Sequence, residues 1–299
     1  MGQPRIGRIA AAITICVLAG MVLQRHQQQQ KLLHKMAPVP AVRVASITPA
    51  GTDLLIGMGA ANDLVGVSNF DDEREGTAGK PRIGDYQSID WEKLSAVDAN
   101  VLLVQYAPDR MPGYVKQQCA TMGIRVVNLK LDTVAEICEA MEMLGGVVRE
   151  TDAGTMAAAK LRGQLNSVAQ RVKGLPRVRA LVVTSDQDFS LAGPGEFLDE
   201  LLTTAGGENA AADLGKAYPA VDREMIVKMS PDVVIRLVPD GDQKPQVVEQ
   251  GDKIWASMGE LPAVKNHRVY VMTEWYCEMP GFRVGDIAEK FAECLHGNR

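Results

Sequence analysis

The sequence predicts an α/β protein with two similar lobes, each a mainly parallel β-sheet flanked by helices, joined by a rigid helical linker. Three observations predict this: short β-branched segments alternate with amphipathic ones in both halves, motifs of the first half recur in the second, and a purely helical pattern separates the halves. A hydrophobic signal or anchor helix precedes the lobes. The predicted boundaries are 1–36 for the signal or anchor and a polar linker, 37–132 for the N-terminal lobe, 133–176 for the helical linker and 177–299 for the C-terminal lobe.

The N-terminal segment has the layout of an export signal. Arg5 and Arg8 precede an uncharged run over residues 9–23, and a glutamine-rich polar stretch follows. As a helix, this run would be about 22 Å long, shorter than the ~30 Å hydrocarbon core of a bilayer. We therefore expect an exported protein, periplasmic or otherwise extracytoplasmic, in which residues 6–23 are either cleaved off or retained as an anchor in the cytoplasmic membrane.

Each predicted lobe alternates strands with helices. Thr48 is predicted to cap a helix that has Pro49 at its first position, and Gly59 is predicted to end that helix. The predicted strands cover residues 42–47, 64–68, 101–105 and 124–129 in the first lobe and 179–184, 233–237 and 269–272 in the second, where a helix covers 197–204.

The two lobes repeat individual residues. The motif at 89–92 (IDWE) matches the motif at 221–224 (VDRE) at an offset of 132 positions, and both precede a run of buried-strand character. The pair Leu54-Leu55 matches Leu201-Leu202 at an offset of 147. Because the offsets differ only by what loop lengths can absorb, the matches predict two lobes with one topology.

A helical pattern without strand signal connects the lobes. Thr133 and Glu136 form a capping box, followed by apolar residues at spacings of three and four. A second helix is predicted over 151–172, and Pro176 ends the connection. A linker of packed helices favours a small rocking motion of the lobes over a wide hinge opening.

Composition and missing motifs exclude several function classes. The net charge of −5 argues against broad nucleic-acid binding. P-loop lysine, GxSxG and HExxH motifs are absent from the sequence, and the four histidines lie far apart. We therefore expect no catalytic residues, metal site or cofactor. We also expect the protein to be a monomer. An enzyme and a purely structural interaction domain remain the rival hypotheses, and Cys119–Cys138 and Cys277–Cys294 remain open as disulfides.

Aromatic side chains are concentrated after the predicted strands. Ligands of open α/β sheets bind beyond the carboxyl ends of the strands, so these loops are where a binding site is expected. Broad rings there suit a large, partly apolar ligand such as a corrin, a porphyrin or another chelate. The alternative is that some of these rings cap the lobe cores. The residues are Phe70, Tyr86, Tyr106, Phe189, Tyr218, Trp275 and Tyr276.

Several segments resemble class III periplasmic binding proteins, the cobalamin- and iron-chelate-binding components of ABC importers. They include LAGPGEFLDELLTTAGGEN at 191–209, and the resemblance extends over essentially all of residues 41–297. It implies a ligand held between two α/β lobes and delivered to a membrane permease. The other segments are 43–55, 65–68, 90–103, 261–271 and 280–283.

The resemblance also implies roles for single residues. Trp275, Phe70, Tyr86 and Tyr106 resemble aromatic ligand contacts of corrinoid-binding members. Arg283 resembles a position that often faces the cleft, where a guanidinium pairs with anionic oxygen atoms. A structural salt bridge is the alternative for this arginine.

Family members dock on the permease through an acidic side chain at the tip of each lobe. Glu196 matches the C-lobe position to within a residue, whereas the N-lobe position carries no glutamate and Asp109 is the nearest substitute. This departure leaves open a membrane-anchored binding or sensing protein without a dedicated permease. Among ligands, a corrinoid ranks ahead of ferric chelates and haem, for which Tyr86 or Tyr276 would have to serve as the axial ligand.

Overall fold

The structure, a computed structural model, describes residues 24–25, 41–107, 109–241 and 244–297. The predicted signal or anchor over 6–23 lies outside the described residues. Within the described part of the chain, no helix combines the length and the hydropathy that a membrane crossing requires. Residues 42–299 form one unit, which contains both lobes and the linker.

The N-terminal lobe is a four-stranded parallel sheet in the order β2-β1-β3-β4. The strands are β1 (Val44–Ser46), β2 (Leu64–Gly66), β3 (Val101–Val104) and β4 (Arg125–Asn128), and the helices are α1 (Pro49–Gly57), α2 (Trp91–Ala96) and α3 (Gly113–Thr121). Strands β1 and β3 are buried along their whole length, as central strands of a sheet covered on both faces must be.

Two helices lie between the lobes, α4 (Val134–Val147) and α5 (Thr151–Arg171). The capping box of Thr133 and Glu136 is confirmed, with both of its hydrogen bonds present. Gly145 and Gly154 let the two helices approach closely, since a Cβ on Gly145 would lie 2.9 Å from the Cα of Gly154. Apolar residues of both helices belong to one core that also includes residues of both lobes, so the linker is packed against each of them.

The C-terminal lobe is a five-stranded sheet, parallel except for one short strand. Its strands are β5 (Val178–Ser185), β6 (Ser190–Leu191), β7 (Gly207–Asn209), β8 (Val233–Leu237) and β9 (Val269–Met272). Its helices are α6 (Phe197–Thr204), α7 (Arg223–Met229), α8 (Pro245–Ala256), α9 (Pro262–Lys265) and α10 (Val284–His296). Strand β6 pairs antiparallel with β5 and has no counterpart in the first sheet.

The predicted repetition of topology is confirmed. The order β7-β5-β8-β9 reproduces β2-β1-β3-β4 strand for strand. The repeated aspartates have the same local role, because Asp90 accepts a hydrogen bond from the Lys93 backbone N–H at the start of α2 and Asp222 accepts one from Met225 at the start of α7.

The four described cysteines, Cys119, Cys138, Cys277 and Cys294, are free thiols. Neither of the two pairings that the sequence leaves open is formed. Cys119, Cys138 and Cys277 are buried and belong to the hydrophobic cores.

We expect Thr133→Ala to lower the free energy of unfolding by about 1 kcal/mol, because the first turn of α4 loses its side-chain cap. Urea denaturation followed by circular dichroism measures the change. Thr155→Ala is the control, since the exposed Thr155 hydroxyl donates only to the Thr151 carbonyl within α5. Equal effects of the two substitutions would contradict a stabilising role for the capping box.

Candidate functional site

The loops that follow the strands of the two sheets meet. Arg74, which follows β2, places its guanidinium carbon 4.0 Å from the ring centroid of Trp275, which follows β9. Asp240, which follows β8, lies near Asp72 of the loop after β2. Its pKa is raised by burial and then by the Asp72 carboxylate. Since these loops are where open α/β sheets bind ligands, the seam between the lobes is the candidate binding cleft.

Asp53 fastens the segment before α10 to the N-terminal lobe. Its carboxylate accepts a hydrogen bond from the Phe282 backbone N–H at 2.7 Å. Asp53 is buried, with 4% relative exposure. Burial raises the pKa of Asp53, against the hydrogen bond from Phe282 and the charge of Arg74. Gly57 allows this contact, because a Cβ there would overlap the Phe282 ring.

Arg74 is held by two buried carboxylates. Its Nη2 lies 3.7 Å from Asp53 and 4.0 Å from Asp71. Asp71 accepts hydrogen bonds from the Thr52 hydroxyl at 3.0 Å and the Ser68 N–H at 2.8 Å, which fix the loop after β2. Arg74 was not predicted from the sequence. The available signal was its place in a strand-following loop directly after three acidic residues.

A cavity of about 930 Å³ adjoins this contact. It is formed by the end of α1, the loop around Arg74, helix α5 and the segment from Trp275 to the start of α10. Of the predicted ligand residues, Trp275 and Arg283 line it, and Tyr86 and Tyr106 do not. The residues predicted from the sequence to contact one ligand therefore lie in two separate places on the structure. The charged lining residues are Asp53, Arg74, Glu75, Lys80, Lys160, Arg283 and Asp286.

Phe70, Tyr86 and Tyr106 come together on the N-terminal lobe. The rings of Phe70 and Tyr86 stack at 5.9 Å, and the Tyr106 hydroxyl donates to the Tyr86 carbonyl at 3.0 Å. Asn128, at the end of β4, holds the Tyr106 backbone by accepting from its N–H at 2.8 Å and donating to its carbonyl at 2.9 Å. Phe70 and Tyr86 are 55% and 56% exposed, so this aromatic group presents ring surface to solvent.

Trp275, Tyr276 and Arg283 form a second group on the C-terminal lobe. The two rings meet edge to face at 5.5 Å. The Arg283 guanidinium carbon lies 5.7 Å from the Trp275 centroid and 5.4 Å from that of Tyr276. Arg283 also approaches Asp286 to 3.7 Å, so it takes part in a salt bridge while lining the cavity.

Phe189 and Tyr218 lie apart from both aromatic groups. Phe189 is half-buried edge to face on Trp255, at 5.7 Å, and packs against the second hydrophobic core. Its ring contributes to core packing, as the alternative to ligand contact anticipated. Tyr218 is half-exposed, and its pKa is raised by burial of the hydroxyl and by the Glu196 carboxylate.

The two acidic residues predicted to dock on a permease have different surroundings. Glu196 is the residue before α6, and its pKa is raised by burial and then by the carboxylates of Asp132, Glu136 and Glu200. Asp109 is exposed and precedes α3.

Glu278 is a further candidate site residue, which the sequence analysis did not predict. Its Oε1 is buried without a hydrogen-bond partner, at a cavity of about 320 Å³ by the carboxyl ends of β5 and β8. Burial raises the pKa of Glu278 to about 7. The signal in the sequence was a carboxylate in a strand-following loop between the apolar residues Cys277 and Met279.

Among the residues that the structure describes, no cluster of three or more His, Cys, Asp or Glu side chains has the arrangement of a metal site. The expectation of no resident metal or cofactor stays a prediction.

Comparison with known proteins gives a family and a fold. A profile described as "Periplasmic binding protein" matches residues 44–276. The vitamin B12-binding protein of Vibrio cholerae is 24% identical over 260 residues, which cover 86% of this chain and 90% of that protein. The crystal structure of the periplasmic vitamin B12-binding protein BtuF of Vibrio cholerae matches with a TM-score of 0.71 at 23% identity, over 86% of this chain and 98% of that one.

A haem-binding structure matches with the same TM-score. The periplasmic heme-binding protein HutB of Vibrio cholerae has a TM-score of 0.71 at 18% identity, over 85% of this chain and 99% of that one. At these identities the structural matches show the fold and leave the ligand open. The profile, which covers well over half of the chain, shows that this protein belongs to the periplasmic binding protein family.

Proposed function

We propose that this protein is the exported solute-binding component of an ABC importer and captures a corrinoid or a ferric chelate between its lobes. The observation that carries the proposal is the meeting of strand-following loops from two similarly connected sheets, with Arg74 over Trp275. Binding proteins of this architecture close two lobes around a ligand. Capture without chemical conversion agrees with a family of binding proteins.

The ligand class is supported by the aromatic groups and by the relatives. Exposed rings at Phe70 and Tyr86 offer broad apolar surface, which a flat macrocycle can cover. The relatives include proteins named for vitamin B12 and for heme. We rank a corrinoid first. Haem would require a tyrosine as axial ligand, for which Tyr86 and Tyr276 are the predicted residues.

Delivery to a permease rests on the family and on two acidic residues. We propose that Glu196 and Asp109 face permease arginines, with the N-terminal segment over 6–23 directing export and either being removed or anchoring the protein. A membrane-anchored binding or sensing protein without a permease is the second candidate, because the N-lobe docking position carries no glutamate and Asp109 is the nearest substitute.

Trp275→Ala is expected to weaken ligand binding by about 1–3 kcal/mol, the range for a buried aromatic anchor. The purified full chain is titrated with cobalamin, cobinamide, haem and ferric siderophores by calorimetry, and wild type is expected to bind one of them one-to-one. Val227→Ala is the control, since Val227 is exposed on α7 and lines neither the cavity at Trp275 nor the one at Glu278. Absence of binding to every probe would exclude this ligand class. Equal losses in both variants would exclude Trp275 as an anchor.

A further inference from the structure

The small cavity at Glu278 lies on the ligand-facing edge of the C-terminal sheet. Ser185 at the end of β5, Val238 after β8, Gln250 on α8 and Glu278 after β9 all line it. The same edge meets the other lobe, because Asp240, two residues after Val238, is close to Asp72 of the N-terminal lobe. A volume of about 320 Å³ is at the low end of small-molecule pockets. It suits a group that protrudes from a larger ligand.

Two carboxylates line this cavity, and they differ in their hydrogen bonds. Asp186 is fully engaged, since it pairs with Arg236 at 2.7 Å and accepts from Trp255 Nε1 at 2.7 Å. Glu278 has its Oε1 buried without a partner. Buried polar atoms are almost always hydrogen-bonded, because an unsatisfied one loses its solvation without compensation. An open acceptor at the edge of a binding cleft is therefore a place for a donor from outside the chain.

None of the charged and titratable groups described around Glu278 forms an ion pair with its carboxylate. From the hairpin after β5, Asp186 is neutralised by Arg236, and from the start of α8, Lys244 lines the cavity. Tyr218 approaches from the loop before α7; burial raises the pKa of its hydroxyl, and the carboxylates of Glu196, Asp132 and Glu278 raise it further. Within the described part of the chain, Glu278 forms no ion pair. Glu274, which lies on the same segment as Glu278, pairs with Lys290, whose Nζ is 3.4 Å from Glu274 Oε1.

We propose that Glu278 is a second recognition point of the ligand site, which accepts hydrogen bonds from a carboxamide or amine group that the bound ligand inserts into this cavity. The inference rests on the proposed function and narrows its ligand class. A ligand whose periphery carries amide N–H donors satisfies the open acceptor. A ligand whose periphery carries carboxylates places a negative charge beside the Glu278 carboxylate, which is unfavourable.

The sign of the pH dependence separates these two ligand types. Burial raises the pKa of free Glu278 to about 7. Hydrogen bonds from N–H donors favour the charged form and lower that pKa, so binding releases a proton and the affinity rises with pH. A carboxylate in the cavity favours the protonated form, and the affinity then falls as the pH rises.

The test compares wild type, Glu278→Gln and the control Glu274→Gln as full chains. Each is titrated at pH 5.5, 7 and 8.5 with cyanocobalamin, whose periphery carries carboxamides, and with haem, whose periphery carries carboxylates. For wild type we expect the Kd of cyanocobalamin to fall about tenfold from pH 5.5 to 8.5. Glu278→Gln should match wild type at pH 5.5, show no pH dependence and bind about tenfold more weakly at pH 8.5. Glu274→Gln should follow wild type.

The outcomes separate this inference from the proposed function. If wild type binds cyanocobalamin and Glu278→Gln keeps both its affinity and its pH dependence, Glu278 does not contact the ligand and the inference alone fails. If wild type binds haem, with an affinity that rises with pH through Glu278, the assigned ligand chemistry is wrong. If neither probe binds wild type at any pH, the inference fails, and the proposed function then depends on the titration with ferric siderophores.

Discussion

Arg236→Met is expected to lower the free energy of unfolding by about 3–5 kcal/mol, because it leaves a buried carboxylate without its charge partner. The Arg236 side chain is 1% exposed and lies in β8. It pairs with Asp186, 10% exposed, and also with Asp252, and it donates to the Val248 carbonyl of α8. The substitution therefore loosens both α8 and the hairpin after β5. Chemical denaturation of both proteins at pH 7 measures the difference.

Two further variants identify the cause of this loss. Arg162→Met removes an arginine from an exposed ion pair with Glu142 on the linker helices, and it should cost at most about 1 kcal/mol. Adding Asp186→Asn to Arg236→Met should recover a large part of the loss, because the orphaned charge is gone while an oxygen remains for Trp255 Nε1. Similar effects of Arg236→Met and Arg162→Met would show that the buried pair is not a stabilising element.

Glu278→Gln is expected to raise the free energy of unfolding at pH 8 by about 3 kcal/mol and to leave it unchanged at pH 4. Burial raises the pKa of Glu278 from 4.5 to about 7. The folded state of wild type thus holds a proton that the unfolded state releases between these values. The stability contributed by this proton is fully present below pH 4.5 and is lost as the pH rises through 7. Denaturation curves at pH 4, 6 and 8 measure the divergence of the two proteins.

The control variant for this prediction should change the free energy of unfolding in the opposite direction. Glu274 lies in the same segment, and its charge is favourably paired with Lys290. Glu274→Gln should therefore slightly destabilise the protein at pH 8. A Glu278→Gln variant with the pH profile of wild type would show that this carboxyl is solvated in the folded protein.

Most of the fold was predictable because its signals are local. The helix of 197–204 and the strands of 233–237 and 269–272 were predicted with the observed bounds, and α5 differs from its prediction by one residue. The missed strands β6 and β7 have two and three residues, and β7 has the turn-like sequence GEN. Their formation depends on pairing with β5, which no local pattern encodes.

The candidate site was predictable in its composition and less so in its grouping. The aromatic residues of the strand-following loops were identified, and Phe70, Tyr86 and Tyr106 do come together. The sequence offered no means to separate them from Trp275, or to place Phe189 on Trp255. Which rings pack inward depends on neighbours in other elements, whereas the presence of a ring after a strand is visible in the chain itself.

The sequence by itself determined the repetition of topology, the helical linker and the capping box at Thr133, since each shows in local patterns of the chain. The tertiary structure decided the contacts across the seam. Asp53 meets the Phe282 backbone 229 positions away, and Arg74 covers Trp275. The packing of the C-terminal lobe also leaves Oε1 of Glu278 buried without a hydrogen-bond partner. Such contacts depend on how completed elements pack, and periodicity and capping carry no information about partners so distant in the chain.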